Sequence, residues 1–593
     1  MANTQLQTQA SELPAWDLTD FYQDLNDPLI QADLALARTM AQDFEHTFKG
    51  KVAEVTPQDF GKAIQVYEAT QEILGKLMSY AYLLFAEDMG NEEAASFLQN
   101  TQESATDVSS QLLFFTLEVN RLSDDRVQEL LSDEVVRSYE CWLRDTRIYA
   151  PYQLSEEVEE LLHEKRVAGK SAWVRLFDET FAQLRFHVDG KEMGSSEVLH
   201  LLSSSDATVR ATASRAFSKG LDDNKRLFAL ITNTLAKDKQ IEDKRRGYKS
   251  PMISRHLDNL VEEEVVEALS SSVKEAYPRL SHRYYKLKAQ MMGKDVLDHW
   301  DRNAPLPSAD DTIIPWDTAK ARVLKAYNDF SPTVASIAQD FFDKHWIDAV
   351  LRPGKDSGAF SHPTVPSVHP YILQNYHGKT RDVMTLAHEL GHGVHQVLAS
   401  PQGYLKSATP LTLAETASVF GEMLTFQSFL RDEADLEKRK FITANKVEDM
   451  LNTVVRQIAF YEFEKAVHLE RQKGEVSAGR LGEIWMQIQS ESLGPAIRLG
   501  EGYENYWSYI PHFIHSPFYV YAYAFGDCLV NSLYAVYEES PDGFEAKYLD
   551  LLKAGGTLRH KELLAPFRLD ASDPTFWQKG LSMIEGFINQ IEE

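Results

Sequence analysis

Apolar residues recur every three to four positions over most of this chain, which is the period of helices with one buried face. From about 28 to 162 the pattern predicts several amphipathic helices, with polar breaks at 51–56 and 87–90. A short period-two stretch, 184–188 and 191–193 around Asp189-Gly190, predicts a β-hairpin on a D-G turn. Helical periodicity returns over 196–246, including a long stretch at 222–245, and again at 317–346 after a Pro-containing loop at 302–308. The segment 352–379 differs, with Pro353, Pro363, Pro366 and Pro370 among Gly354 and Gly358. Inside it, Tyr371-Ile372-Leu373-Gln374-Asn375-Tyr376 reads as a strand that could pair with an extended peptide. Gly358 offers either close approach to such a peptide or a plain turn. Helices follow at 381–398 and 412–431, then several more to about 489, then an aromatic-rich stretch at 503–525 and a final helix at 574–593. The organisation expected is an N-terminal helical lobe, 1–195, and a second region, 196–593, divided near the hairpin.

Composition changes this picture little. At 593 residues the chain is too long for one compact core. A net charge of -28 argues against nucleic acid and anionic membrane as partners. Two cysteines, Cys141 and Cys528, fit a reducing compartment and cannot form a four-cysteine metal site. The polar stretch 1–13 lacks the apolar core of a signal peptide, and no apolar run approaches membrane-spanning length, so a cytoplasmic protein is expected.

The chemistry concentrates at His388-Glu389-Leu390-Gly391-His392. On a helix, His388 and His392 share a face and can offer two imidazoles to one metal ion. Glu389 lies about 100° around the axis, within reach of a third position on that ion. Neutral nitrogen ligands, an open water position and a carboxylate base are what a hydrolytic zinc site requires. Apolar Val383, Leu386, Ala387, Leu390, Val394 and Val397 flank the histidines, so the helix reads as buried. His395 is poorly placed as a third ligand, since seven residues carry it about 10 Å along the axis; a supporting or substrate-facing role suits it better. Glu415 is the stronger candidate. With Ser418 and Glu422 it forms a polar stripe on an otherwise apolar helix, although Thr412-x-x-Glu415 also matches a capping box. Analogy with two-histidine, one-glutamate zinc sites favours ligation.

The run 388–396, followed by Glu415-x-x-Ser418-x-x-x-Glu422, resembles the thimet-oligopeptidase family of zinc peptidases, and within it the bacterial oligoendopeptidase F branch. Trp16-Asp17-Leu18-Thr19-Asp20-Phe21-Tyr22 and the stretch from Ile510-Pro511-His512-Phe513 to Tyr523 extend the likeness over nearly the whole chain. The resemblance implies a mainly α, two-lobed helical fold with a small β-sheet beside the active-site helix and a deep central channel. It implies one Zn2+ per chain held by His388, His392 and Glu415, with Glu389 as general base. It further implies that His512 and nearby tyrosines stabilise the oxyanion. The thimet branch has Gly-Tyr where this chain has Ser516-Pro517, so the tyrosines follow from spacing: Tyr519 and Tyr523 share a helical face and rank above Tyr521. The function implied is internal cleavage of short unstructured peptides. A dipeptidyl carboxypeptidase of the same family and a non-catalytic, metal-containing peptide-binding protein are the alternatives.

Overall fold

The structure is a computed structural model and describes residues 13–306 and 313–593; part of the loop expected at 302–308 lies outside them. It is mainly helical, as expected, with three small sheets among the described residues. Packing divides it into two units, each built from three stretches of chain. The first takes the described residues of Met1–Pro151, Asp311–Asp432 and Tyr537–Arg568; the second takes those of Tyr152–Asp310, Glu433–Val536 and Leu569–Glu593. No helix among the described residues is long and apolar enough to cross a membrane.

In the first unit, helices Pro28–Phe48, Pro57–Glu87 and Glu92–Arg121 pack together around Phe44, Phe60 and Phe115. Their starts follow from sequence. Asp27, Thr56 and Asn91 each accept a first-turn N–H, and two of the helices begin on proline, whose missing N–H costs nothing there. The stretch expected as one helix over 317–346 is two, Trp316–Phe330 and Pro332–Asp343. Pro332 cannot continue the first helix, and Ser331 caps the second by accepting the Val334 N–H at 3.3 Å.

A three-stranded sheet follows. Tyr371–Leu373 is its central strand, parallel to Ile347–Asp348 on one side and antiparallel to Phe360–His362 on the other. The expected strand is shorter than 371–376, and both its edges are occupied. It therefore has no free ladder for a peptide, because pairing with protein strands satisfies its main chain first. The Tyr371 hydroxyl donates to the Asp17 carbonyl at 2.7 Å and its ring stacks on Phe21, so the Trp16–Tyr22 motif anchors this sheet. Gly358 is a turn residue: its N–H donates to the Asp356 carboxylate at 2.8 Å and its carbonyl accepts from Asn375.

The second unit opens with the expected hairpin, Phe186–Val188 against Lys191–Met193. Asp189 and Gly190 both have positive φ, 49° and 78°, as the tight turn requires. The helix expected at 222–245 belongs to a longer one, Ala207–Arg246, capped by Asp206 and ended by Gly247 at φ 81°. A two-residue parallel pairing, Leu297–Asp298 with Ile497–Arg498, had no signal in the sequence.

Two buried histidines of this unit give stability a pH dependence. Burial pushes His256 and His299 down to about 4, so both rings are neutral when folded. An unfolded histidine takes a proton near pH 6.5, so stability is full above that value and is lost as pH falls toward 4. By pH 5 each ring should cost about 2 kcal/mol. The thermal midpoint should fall steadily between pH 6.5 and 5, and a flat midpoint across that window would show that the folded rings already carry protons.

Candidate metal centre

Helix Thr380–Ala399 carries the histidine motif. Asp382 starts it by accepting the N–H groups of His377 and Lys379 at 2.8 and 2.9 Å. Val383, Leu386, Ala387, Leu390 and Val394 are buried, which fixes the rotation of the helix and so the face that His388 and His392 present. Against it packs the segment 411–432, which is not the continuous helix expected. Leu411–Ala414 is one turn, Ser418–Asp432 is a helix, and Glu415 lies in the break between them. Thr412 sits inside the first turn, with Pro410 at the N-cap, so the capping-box geometry is absent.

Glycine explains how the break reaches the histidines. A Cβ on Gly391 would stand 2.4 Å from the Ala417 carbonyl oxygen and 2.6 Å from the Ser418 Cα. Only a glycine lets backbone approach backbone so closely, and this contact brings Glu415 over the motif. Gly391→Ala should therefore displace the 415–418 turn. We expect a thermal midpoint about one to a few degrees lower, from an overpacking cost of about 1–3 kcal/mol, together with weaker metal binding. Unaltered melting and metal content would show that the contact relaxes freely.

His388, His392 and Glu415 form the group among the described residues whose ligand atoms lie within 4.8 Å of one another. Both Nε2 atoms stand 3.4 Å from Glu415 Oε2. Ligand atoms about 2.0–2.1 Å from one tetrahedral ion lie about 3.3–3.4 Å apart, so the donor set fits zinc in kind and in spacing. The far side of His388 is also held, with Nδ1 3.3 Å from Glu422 Oε2, and Ser418 Oγ donates to Glu415 Oε2 at 2.6 Å. Such partners fix ring orientation and ligand basicity.

The electrostatics call for a cation here. Burial pulls His388 down, but the Glu422 bond and the charges of Glu415 and Glu389 outweigh it and push the ring up to about 9. Burial holds His392 down at about 4. Burial raises Glu415, yet the two histidines and Ser418 leave it below its ordinary value. Burial pushes Glu389 up to about 7, against the His388 charge and the Ser361 main-chain N–H. Its Oε2 is buried with no partner, an orphan that a water or substrate group would satisfy.

His395 is buried beside this group, 4% exposed, with Nε2 3.4 Å from Thr409 Oγ1. Its burial rules out the substrate-facing role, while its interaction with the Ala414 carbonyl braces the turn next to Glu415.

His512, Tyr519 and Tyr523 belong to the second unit, where they form their own cluster. Ring centroids lie 6.4 Å apart for His512–Tyr519, 6.0 Å for His512–Tyr523 and 5.2 Å for Tyr519–Tyr523. Helix Tyr521–Glu539 begins only after Tyr519, so that residue reaches the cluster from the preceding turn. All three are half-buried. Tyr521 points elsewhere: it is fully buried, with its hydroxyl 3.1 Å from His256 Nδ1 and 2.9 Å from Asn259 Nδ2. The turn carrying Tyr519 has Phe518 at φ 61°, and its N–H donates to buried Glu464 at 2.9 Å. Arg255 donates to the Pro517 carbonyl at 3.3 Å and lies over the Tyr519 ring. Neither Glu464 nor Arg255 was visible in sequence, because nothing local marks a side chain that supports a turn 54 or 262 residues away.

A family model described as peptidase family M3 matches residues 200–583, and one described as oligopeptidase F matches 118–186. The chain is 27% identical to oligopeptidase PepF of Bacillus subtilis over 560 residues, covering 92% of this chain and 82% of that one. It is 26% identical to the group B oligopeptidase PepB of Streptococcus agalactiae, over 97% and 96% of the two chains. Its fold matches the oligoendopeptidase F of Enterococcus faecium with a TM-score of 0.70 at 21% identity, covering 100% and 99% of the two chains. A solved structure from Chlamydophila abortus matches with a TM-score of 0.86, again at 21% identity, over 98% of each chain.

Proposed function

Since the chain belongs to peptidase family M3, we propose that it is a zinc-dependent oligoendopeptidase that hydrolyses internal bonds of short, unstructured peptides. The catalytic region is taken as 196–593. The observation that carries this reading is the convergence of two imidazoles and one carboxylate beside a second carboxylate, Glu389, one oxygen of which has no partner. His388, His392 and Glu415 would hold one zinc ion, and Glu422 would orient His388. Bound there, zinc supplies Lewis acidity toward water and the scissile carbonyl. Glu389 takes the proton from the attacking water and delivers it to the leaving amine; burial raises the proton affinity of this carboxylate, which suits it to accept the proton. His512, Tyr519 and Tyr523 donate hydrogen bonds to the oxyanion, a role that rests on the family likeness and on their mutual contact. The two cysteines favour a cytoplasmic setting, and the charge of -28 disfavours nucleic acid and membrane partners.

End-blocked peptides test the mode of cleavage. An endopeptidase cuts a peptide acetylated at one end and amidated at the other at internal bonds. Cleavage confined to peptides with a free C-terminus, always two residues from it, would replace this reading with a dipeptidyl carboxypeptidase. A non-catalytic peptide-binding protein would have no use for Glu389 in this position.

A further inference from the structure

The second unit holds cations that the mechanism above leaves unused. Arg302 donates from Nε to Asn303 Oδ1 at 3.3 Å, and its charge acts on the Tyr503 hydroxyl. Arg456 donates from Nη2 to the Tyr509 hydroxyl at 3.4 Å and lies over the Phe460 ring, 5.0 Å from its centroid. Tyr503 and Tyr509 open and close one short 3-10 helix, so both guanidinium groups converge on it. They are close enough that each feels the other's charge: burial and Arg302 together pull Arg456 below its ordinary value.

Neither guanidinium forms an ion pair among the described residues. The carboxylate that acts on Arg302 is Glu448, which already accepts Lys288 Nζ at 2.5 Å and the Tyr284 hydroxyl at 2.7 Å. Lys288 and Arg302 thus share one carboxylate, and no carboxylate among the described residues pairs with Arg456, in a chain whose net charge is -28. Arginine does not escape such a place by losing its proton. Burying like charges without a counter-ion is costly, and a fold keeps that arrangement when an anion arrives from outside. Arg456 Nε is buried with no partner, an unused donor in the same group. Arg302, Arg456 and Tyr509 each keep part of their surface exposed, whereas the neighbouring Tyr285 and Tyr503 are buried. The Arg456 charge also acts on His512, which puts the cluster beside a proposed catalytic residue.

We propose that Arg302 and Arg456, with the Tyr509 hydroxyl, form a subsite for a carboxylate of the peptide substrate. This rests on the oligopeptidase reading and deepens it. A guanidinium presents parallel N–H donors that match both oxygens of a carboxylate. Two sources carry that chemistry, the free C-terminus and an aspartate or glutamate side chain.

The test uses the full chain loaded with zinc and two matched peptide pairs. One pair differs only in a free or amidated C-terminus, the other only in an internal Glu or Gln. For the wild type, KM for one acid should be at least tenfold below that for its neutral match, about the discrimination of one charge-assisted contact. The pair that discriminates identifies the source. In Arg456→Gln and in Arg302→Gln that ratio should fall toward one, and Arg456→Lys should restore part of it. Calorimetric binding of short acid and amide peptides to the Glu389→Gln protein repeats the comparison without turnover, so failure of the peptidase reading and failure of the subsite remain distinguishable. Equal affinity for acid and neutral members of both pairs in the wild type would overturn the proposal. So would an acid preference that survives both arginine substitutions.

Discussion

Glu389→Gln should retain zinc at wild-type stoichiometry and lose about a thousandfold or more in kcat. The carboxylate is not one of the three clustered donors, so its amide should leave the ion in place. General base catalysis contributes about 10²–10⁴-fold, and here one group serves both proton transfers. The substitution is nearly isosteric, and burial already disfavours the charge it removes, so folding should be little disturbed. Steady-state kinetics alongside elemental analysis separates the outcomes. Full turnover with full zinc would remove Glu389 from the reaction, while lost turnover with lost zinc would make it a structural residue.

Glu415→Ala should have the larger effect on metal. It deletes one of the three proposed protein ligands and also the acceptor of the Ser418 hydroxyl. Loss of a partner that only orients a ligand costs about 10–100-fold in affinity. Glu422→Gln should therefore fall within that range, and Glu415→Ala should exceed it. Zinc content after dialysis against a graded chelator series would rank the two. A Glu415→Ala protein that holds zinc as tightly as wild type would assign the third ligand elsewhere, and equal losses in both variants would reduce Glu415 to an orienting role.

The two histidines were legible because a helix turns a four-residue spacing into a shared face, and the buried apolar positions around them fix that face. The hairpin was legible because Asp189-Gly190 can adopt positive φ. Glu415 was found for a partly mistaken reason. The polar stripe of Glu415, Ser418 and Glu422 suggested one helix, whereas the chain breaks at Glu415. That break comes with the Gly391 contact to the 417–418 backbone, a tertiary feature that local propensity does not register. The Ser331-Pro332 break was readable in principle, since proline stops a preceding helix. The sheet strands were largely hidden, because strands of two or three residues owe their existence to partners far along the chain. The arginine cluster was hidden for a different reason: composition reports a net charge, but not which charges are buried without counter-ions.

These predictions share one premise, that the His388–His392–Glu415 group holds a zinc ion required for peptide cleavage. Incubation of the chain with a mixed peptide library, read by mass spectrometry with chelator and with zinc restored, tests it most directly. Internal cuts in short peptides should appear, vanish once the chelator has removed the metal, and return with about one zinc per chain, the occupancy expected of a single three-ligand site. Cleavage that continues undiminished in metal-depleted protein would contradict the premise.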